Sequence, residues 1–196
     1  MSQLFKGFVF AAIAVLSVCF YAEPARAFGK KQPELQTVPF VDVQRYMGVW
    51  YEIARIDQTF EKGCTGVTAE YALQDDGSVS VKNTCHQDRL EGPIKVANGN
   101  AKVVDTATNA KLKVTFFWPF CGDYWIVELG ENYDYAVVGS PDRDYLWILS
   151  RTPRMDPKLY DAIIERRAAQ GFPVELVKPT VQDWGPLPHH EDWGGV

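Results

Sequence analysis

Histidine is scarce in this 196-residue chain: His86 lies in its body, and the adjacent pair His189 and His190 lies near its C-terminus. No HExxH, P-loop or GxGxxG run occurs, so zinc hydrolase, nucleotide and dinucleotide readings lose their strongest signals, and no cofactor or metal is implied. The two terminal histidines read as part of a solvated tail rather than as ligands. Basic clusters are missing as well. With 20 Lys+Arg against 25 Asp+Glu and a pI near 5.2, nucleic acid is not an expected partner. Apolar material is plentiful at 46% of residues, enough for one packed core at this length.

Long apolar runs are confined to the start. Lys6 precedes an almost wholly apolar stretch over residues 8–20, and Ala25-Arg26-Ala27 sets small residues two apart, as a signal peptidase needs. Residues 1–27 therefore read as an export signal, with a mature chain starting near Phe28. The apolar run is shorter than the roughly 20 residues that span a hydrocarbon core, which ranks a retained membrane helix below cleavage. Cys19 offers a third outcome, lipidation at the end of the apolar region, although Val18 before it is bulkier than the residue usual there. The expected location is the periplasm, with an outer-membrane lipoprotein, associated with the membrane through its anchor, as the alternative.

Export permits disulfides. Cys64 precedes one expected strand and Cys85 ends the next, with Asp75-Asp76-Gly77 as the turn between them, so a Cys64–Cys85 bridge across the hairpin is the candidate pairing. Cys121 is left over in the loop sequence Trp118-Pro119-Phe120-Cys121-Gly122, as a loop residue or a reactive thiol.

Residues 28–40 form a polar, proline-bearing N-terminal arm, and beyond them the dominant period is two. Strand character marks 48–56, 67–73, 79–81, 93–104 with a bulge or bend expected at Asn98-Gly99-Asn100, 112–116, 124–129, 135–139 and 145–149. Eight short antiparallel strands with one apolar face make an up-and-down β-barrel, whose closure removes exposed edges. One helix follows, from an Asp156 cap and Pro157 to a stop at Gly171, with Leu159, Ile163 and Ile164 on its apolar side and Lys158, Glu165, Arg166 and Arg167 on its exposed side. It is expected to pack outside the barrel. The last residues, 182–196, read as a flexible tail.

The run from Val41 through Gly48-Val49-Trp50 to Arg55 resembles the first signature of the lipocalins, a short helical turn and then Gly-x-Trp entering the first strand. Gly139-Ser140-Pro141-Asp142-Arg143-Asp144-Tyr145 looks like the family's turn between its last two barrel strands, and Tyr145-Leu146-Trp147-Ile148-Leu149-Ser150-Arg151 ends in the family's arginine. With Lys113-Val114-Thr115-Phe116-Phe117-Trp118-Pro119-Phe120, the chain is most similar to bacterial lipocalins of the outer-membrane lipoprotein type, kin to apolipoprotein D. The resemblance implies a lipocalin domain over 41–181. It also implies a structural base, in which Gly48 turns the chain into the barrel, Trp50 plugs the closed end and Arg151 lies across the indole.

Function is then expected in the interior. By parity the lining is Ala54, Ile56, Tyr71, Val81, Val114, Phe116, Trp125, Val127, Trp147 and Leu149, an apolar and aromatic set suited to a small hydrophobic ligand, a fatty acid or lysophospholipid carried for storage, transport or membrane maintenance. A one-residue parity error would invert any strand's contribution. Two other classes stand beside the carrier. One is an enzyme acting on a lipidic or pigment substrate through Cys121 or Cys64, for which His86 is the one histidine within the domain. The other is an interaction module using the aromatic loop 117–121.

Overall fold

Two local devices lead the chain into its sheet. Asp42 caps a four-residue helix, α1 (Val43–Tyr46), by accepting the Arg45 amide. Gly48 follows at φ +96°, a left-handed conformation that glycine adopts without strain. The computed structural model describes residues 32–182; the export signal, the Cys19 lipidation candidate and all of the expected tail beyond Gln182 lie outside the described residues.

The strands are β1 (Gly48–Ile56), β2 (Cys64–Leu73), β3 (Val79–Gln87), β4 (Ile94–Val103), β5 (Lys111–Phe117), β6 (Phe120–Leu129), β7 (Tyr135–Gly139) and β8 (Leu146–Ser150). Each pairs antiparallel with the next, and β1 pairs with both β8 and β2, so the sheet closes on itself as the expected eight-stranded barrel. A short strand that the alternation did not reveal, β9 (Val177–Pro179), adds to β1. β1 spends its first half, Gly48 to Tyr51, on β2 and its second, Ala54 to Ile56, on β9.

The chain around β9 closes the seam where β1 and β2 part. Thr180 donates its amide to Ile53 O, Gly66 donates to Val181 O, and the Gln182 side-chain amide donates to the carbonyls of Glu52 and Val67. Backbone groups left by the splay thus find partners rather than remaining orphaned.

Register shifts interrupt β1 between Glu52 and Ala54, β2 between Thr65 and Thr68, β5 between Val114 and Phe117, and β6 between Ile126 and Glu128. The interruption expected at Asn98-Gly99-Asn100, a bulge or bend, is absent from the pairing with β3, which runs unbroken from Ile94 to Ala101. Gly99 serves close approach instead, since a Cβ there would come within 2.9 Å of both the Phe116 ring and Thr115 O.

The second helix, α2 (Pro157–Ala169), starts where expected, with the Asp156 carboxylate accepting the Lys158 and Leu159 amides. Gly171 follows its end at φ +84°. Leu159, Ile163 and Ile164 pack with Ile53, Val137, Leu146 and Ile148 in an outer core on the barrel's outer wall. Leu35 of the N-terminal arm joins that core. Arg167, expected on the exposed side of α2, is instead buried, and with Arg166 it binds Glu128 of β6. A separate inner core, around Trp50, Tyr71, Val81, Ile126 and Leu149, lies inside the barrel.

Candidate functional site in the barrel interior

The α1 end of the barrel is closed. Trp50 is fully buried, and its indole N–H donates to Tyr46 O at 2.9 Å. The Arg151 guanidinium lies 3.8 Å over the indole ring and donates to the carbonyls of Arg45, Tyr46, Met47, Val49 and Tyr133. Gly48 sits beneath it, with the position of a Cβ 3.4 Å from Arg151 Nη1.

Of the residues expected to line the interior, Tyr71, Val81 and Leu149 belong to the buried inner core, and Val114, Phe116 and Trp147 pack against it. Ala54, Ile56, Val127 and Trp125 do not. They lie in the outer core between barrel and helix, and the Lys111 ammonium covers the Trp125 ring at 4.1 Å. The reason is physical. The bulge after Glu52 shifts the inward face of β1 from the Trp50 and Glu52 positions to Arg55. On β6 both faces are buried, one in the barrel and one beneath α2, so apolarity does not mark the inside; Tyr124 and Ile126 face in, and Leu129 does after the bulge.

The interior also holds polar groups that, Tyr71 apart, are absent from the expected lining. Tyr46, Tyr124 and Tyr71 join their hydroxyls in a chain, at 2.8 and 3.0 Å. Burial pushes Tyr71 up to about 12 and holds Tyr46 and Tyr124 well above the usual phenol range, so all three stay protonated. Farther along β1, Arg55 donates to Glu52 Oε1, to Thr180 Oγ1 at 3.1 Å, to Asp57 Oδ1 at 3.4 Å and to Glu61 O at 3.1 Å. Glu61 belongs to a 3-10 turn (Thr59–Glu61) between β1 and β2, and it accepts the Trp147 indole N–H at 3.2 Å. Burial, reinforced by the Glu52 carboxylate, pushes Glu61 up to about 7, and burial also raises Glu52. The clue in the sequence was two charged residues, Glu52 and Arg55, inside an otherwise apolar run.

Cys64 and Cys85 form the expected disulfide, with their Cα atoms 5.4 Å apart. Cys121 is free and exposed at the β5–β6 tip, where Phe117, Trp118 and Phe120 are also exposed. Among the described residues, no group of three or more His, Cys, Asp or Glu side chains is placed to hold a metal ion.

The sequence profile of the Lipocalin-like domain matches residues 41–182. Among curated proteins, outer membrane lipoprotein Blc of Vibrio cholerae is 45% identical over 132 residues, covering 67% of this chain and 77% of that one. Apolipoprotein D of Bos taurus is 32% identical over 185 residues, covering 89% and 94%. Among solved structures, insecticyanin of Manduca sexta superposes with a TM-score of 0.63 at 20% identity, over 78% of this chain and 86% of its own, a likeness of fold. A closed eight-stranded barrel with its Trp50–Arg151 base, a domain profile spanning the whole barrel and relatives of this identity place the chain in the lipocalin family.

Proposed function

We propose that this lipocalin is a non-catalytic carrier that holds one single-chain lipid inside its barrel, with fatty acids and lysophospholipids the first classes to test. The observation that carries the reading is incomplete filling. Val114, Phe116, Tyr124 and Trp147 pack against the inner core yet remain partly exposed. Gly122, directly across from Val114 near the β5–β6 end, is exposed, and a Cβ added there would meet no atom within 4 Å, so the mouth beside Val114 is open. Inward side chains that still reach solvent mark room, and eight strands give an interior wide enough for one small ligand. Burying an acyl chain gains about 0.8 kcal/mol per CH₂ before ordering costs, so an imprecise apolar fit suffices for useful affinity.

Export, followed by residence in the periplasm or anchoring at the outer membrane through Cys19, belongs to the same proposal. It is supported by the segment before Phe28 and by relatives named outer membrane lipoproteins. The enzyme alternative loses one of its two nucleophiles, since the sulfur of Cys64 is spent in the disulfide. The interaction alternative keeps one observation, the aromatic β5–β6 tip with Trp118 89% exposed.

Titrating delipidated, folded protein with single-chain lipids while following tryptophan fluorescence tests the carrier. A saturable change, weakened in Trp147→Ala, is expected. No saturable change with any single-chain lipid overturns the carrier and leaves the interaction reading.

A further inference from the structure

The polar groups on the inner wall are unevenly matched. Two carboxylates, Glu52 and Glu61, share one guanidinium, and Arg55 has little to give a ligand. Both N–H groups of its Nη1 go to Glu52 and Thr180, and both of Nη2 go to Asp57 and Glu61 O. Its Nε has no hydrogen-bond partner and faces Glu61 Oε2 at 3.5 Å. Asp57 is drawn outward to Lys178 of β9. Thr180 donates its hydroxyl to Glu52.

Of the other cations near the interior, one is equally committed and one is solvated. Arg151 sits behind the Trp50 indole and donates to five carbonyls. Lys95, on the face of β4 that Ala101 turns inward, is exposed to solvent and spends one of its three N–H groups on the Gln87 side chain, so its charge is screened by water rather than held in the buried wall. The tyrosine chain leaves a single unspent O–H among its three hydroxyls, because two of the three protons are used in its own bonds.

Acceptors, by contrast, are in surplus. Asn83 stands directly across from Ala69 of the inner core, on the same face of the sheet, and its Oδ1 is buried with no partner. Glu61, with its side chain only 12% exposed, uses Oε2 on Trp147 and Arg55. A carboxylate brought into such a wall adds a third negative charge beside one spent cation. An ammonium or hydroxyl can donate to Glu61 and to the partnerless Asn83 Oδ1 without adding negative charge.

We infer that the acceptor-rich inner wall, with Glu61 and Glu52 about Arg55 and Asn83 on β3, receives a hydrogen-bond-donating, non-anionic head, so that the barrel selects hydroxyl- or ammonium-headed single-chain amphiphiles over free carboxylates. This inference rests on the carrier reading. It narrows that reading's ligand classes by head chemistry alone, since methylenes in the tail are poorly discriminated.

Three probes of matched chain length test it at pH 8: 1-monomyristoylglycerol, tetradecylammonium and myristate, each titrated into delipidated full-length protein. Myristate is expected to bind about tenfold more weakly than either of the others. The uncharged glycerol ester controls for attraction of the ammonium to an acidic protein surface. Glu61→Gln is expected to reduce the advantage of tetradecylammonium over myristate severalfold, while the glycerol ester stays within about threefold of its parent affinity. Myristate binding as tightly as either donor-headed probe overturns the inference, and that ranking in the parent protein decides it even if Glu61→Gln fails to fold. Saturable binding by none of the three is a different failure, that of the carrier itself.

Discussion

Arg151 and Trp50 form one unit at the base of the barrel: the guanidinium lies over the indole at 3.8 Å, while its N–H groups tie together α1, the start of β1 and the β6–β7 turn. The indole is fully buried and its N–H has one partner, Tyr46 O. Trp50→Ala should therefore cost about 3–5 kcal/mol, as large aromatic deletions in cores do. Arg151→Ala should cost less, because its partners are carbonyls that water reaches more readily. Equilibrium denaturant unfolding of both variants checks the order; two variants as stable as the parent would contradict the base described here.

The disulfide closes a loop of 21 residues across the β2–β3 hairpin. A Cys64→Ala, Cys85→Ala double variant should lose about 3 kcal/mol, the loop-closure scale for that length. Peptide mapping without reductant should recover Cys64 linked to Cys85 and leave Cys121 open to alkylation. A bridge involving Cys121 would contradict the pairing.

Glu61 gives a pH dependence with a definite sign. Burial, and then Glu52, raise it from its ordinary value of 4.5 to about 7, so the folded protein holds this proton more tightly than the unfolded chain does. Its contribution to stability is complete below pH 4.5 and is lost as pH rises through 7. Glu128 and Asp57 are held below their ordinary values, and their losses fall at more acid pH. Unfolding free energies of the parent should fall between pH 5 and pH 8, and Glu61→Gln should flatten that slope. An equal slope in the variant would place the titration elsewhere.

Much of the fold could be read from the sequence, and less of the site. Barrel, helix position and disulfide follow from period two, the Asp156-Pro157 cap and hairpin geometry, all local signals. The interior is harder because inside and outside are both apolar wherever α2 covers the wall. Trp125 and Val127 are as hydrophobic as Ile126, and only the contacts made by α2 and the arm separate them. Bulges reverse parity midstrand in β1 and β6 with no residue that announces them. The polar pole needed a long-range view, since Glu61 reaches Trp147 across 86 positions of sequence and Thr180 joins Arg55 across 125.

Gly99 and Gly122 make opposite predictions from the same kind of residue. A side chain at Gly99 strikes the Phe116 ring and Thr115 O, so Gly99→Val should destabilise by about 1–3 kcal/mol. Gly122 faces open space across from Val114, so Gly122→Leu should leave stability nearly unchanged while occupying ligand volume. Thermal unfolding of the pair checks the contrast; equal losses would mean that the space beside Gly122 is not free.

The carrier is tested most directly by native mass spectrometry of delipidated protein mixed with 1-monomyristoylglycerol, comparing the parent with Gly122→Leu. The account predicts a saturable adduct of one lipid per chain in the parent, reduced about tenfold in affinity in the equally stable variant, as expected when ordered ligand volume is filled. No adduct, or an open-ended series of adducts that Gly122→Leu leaves unchanged, would contradict a lipid held inside the barrel.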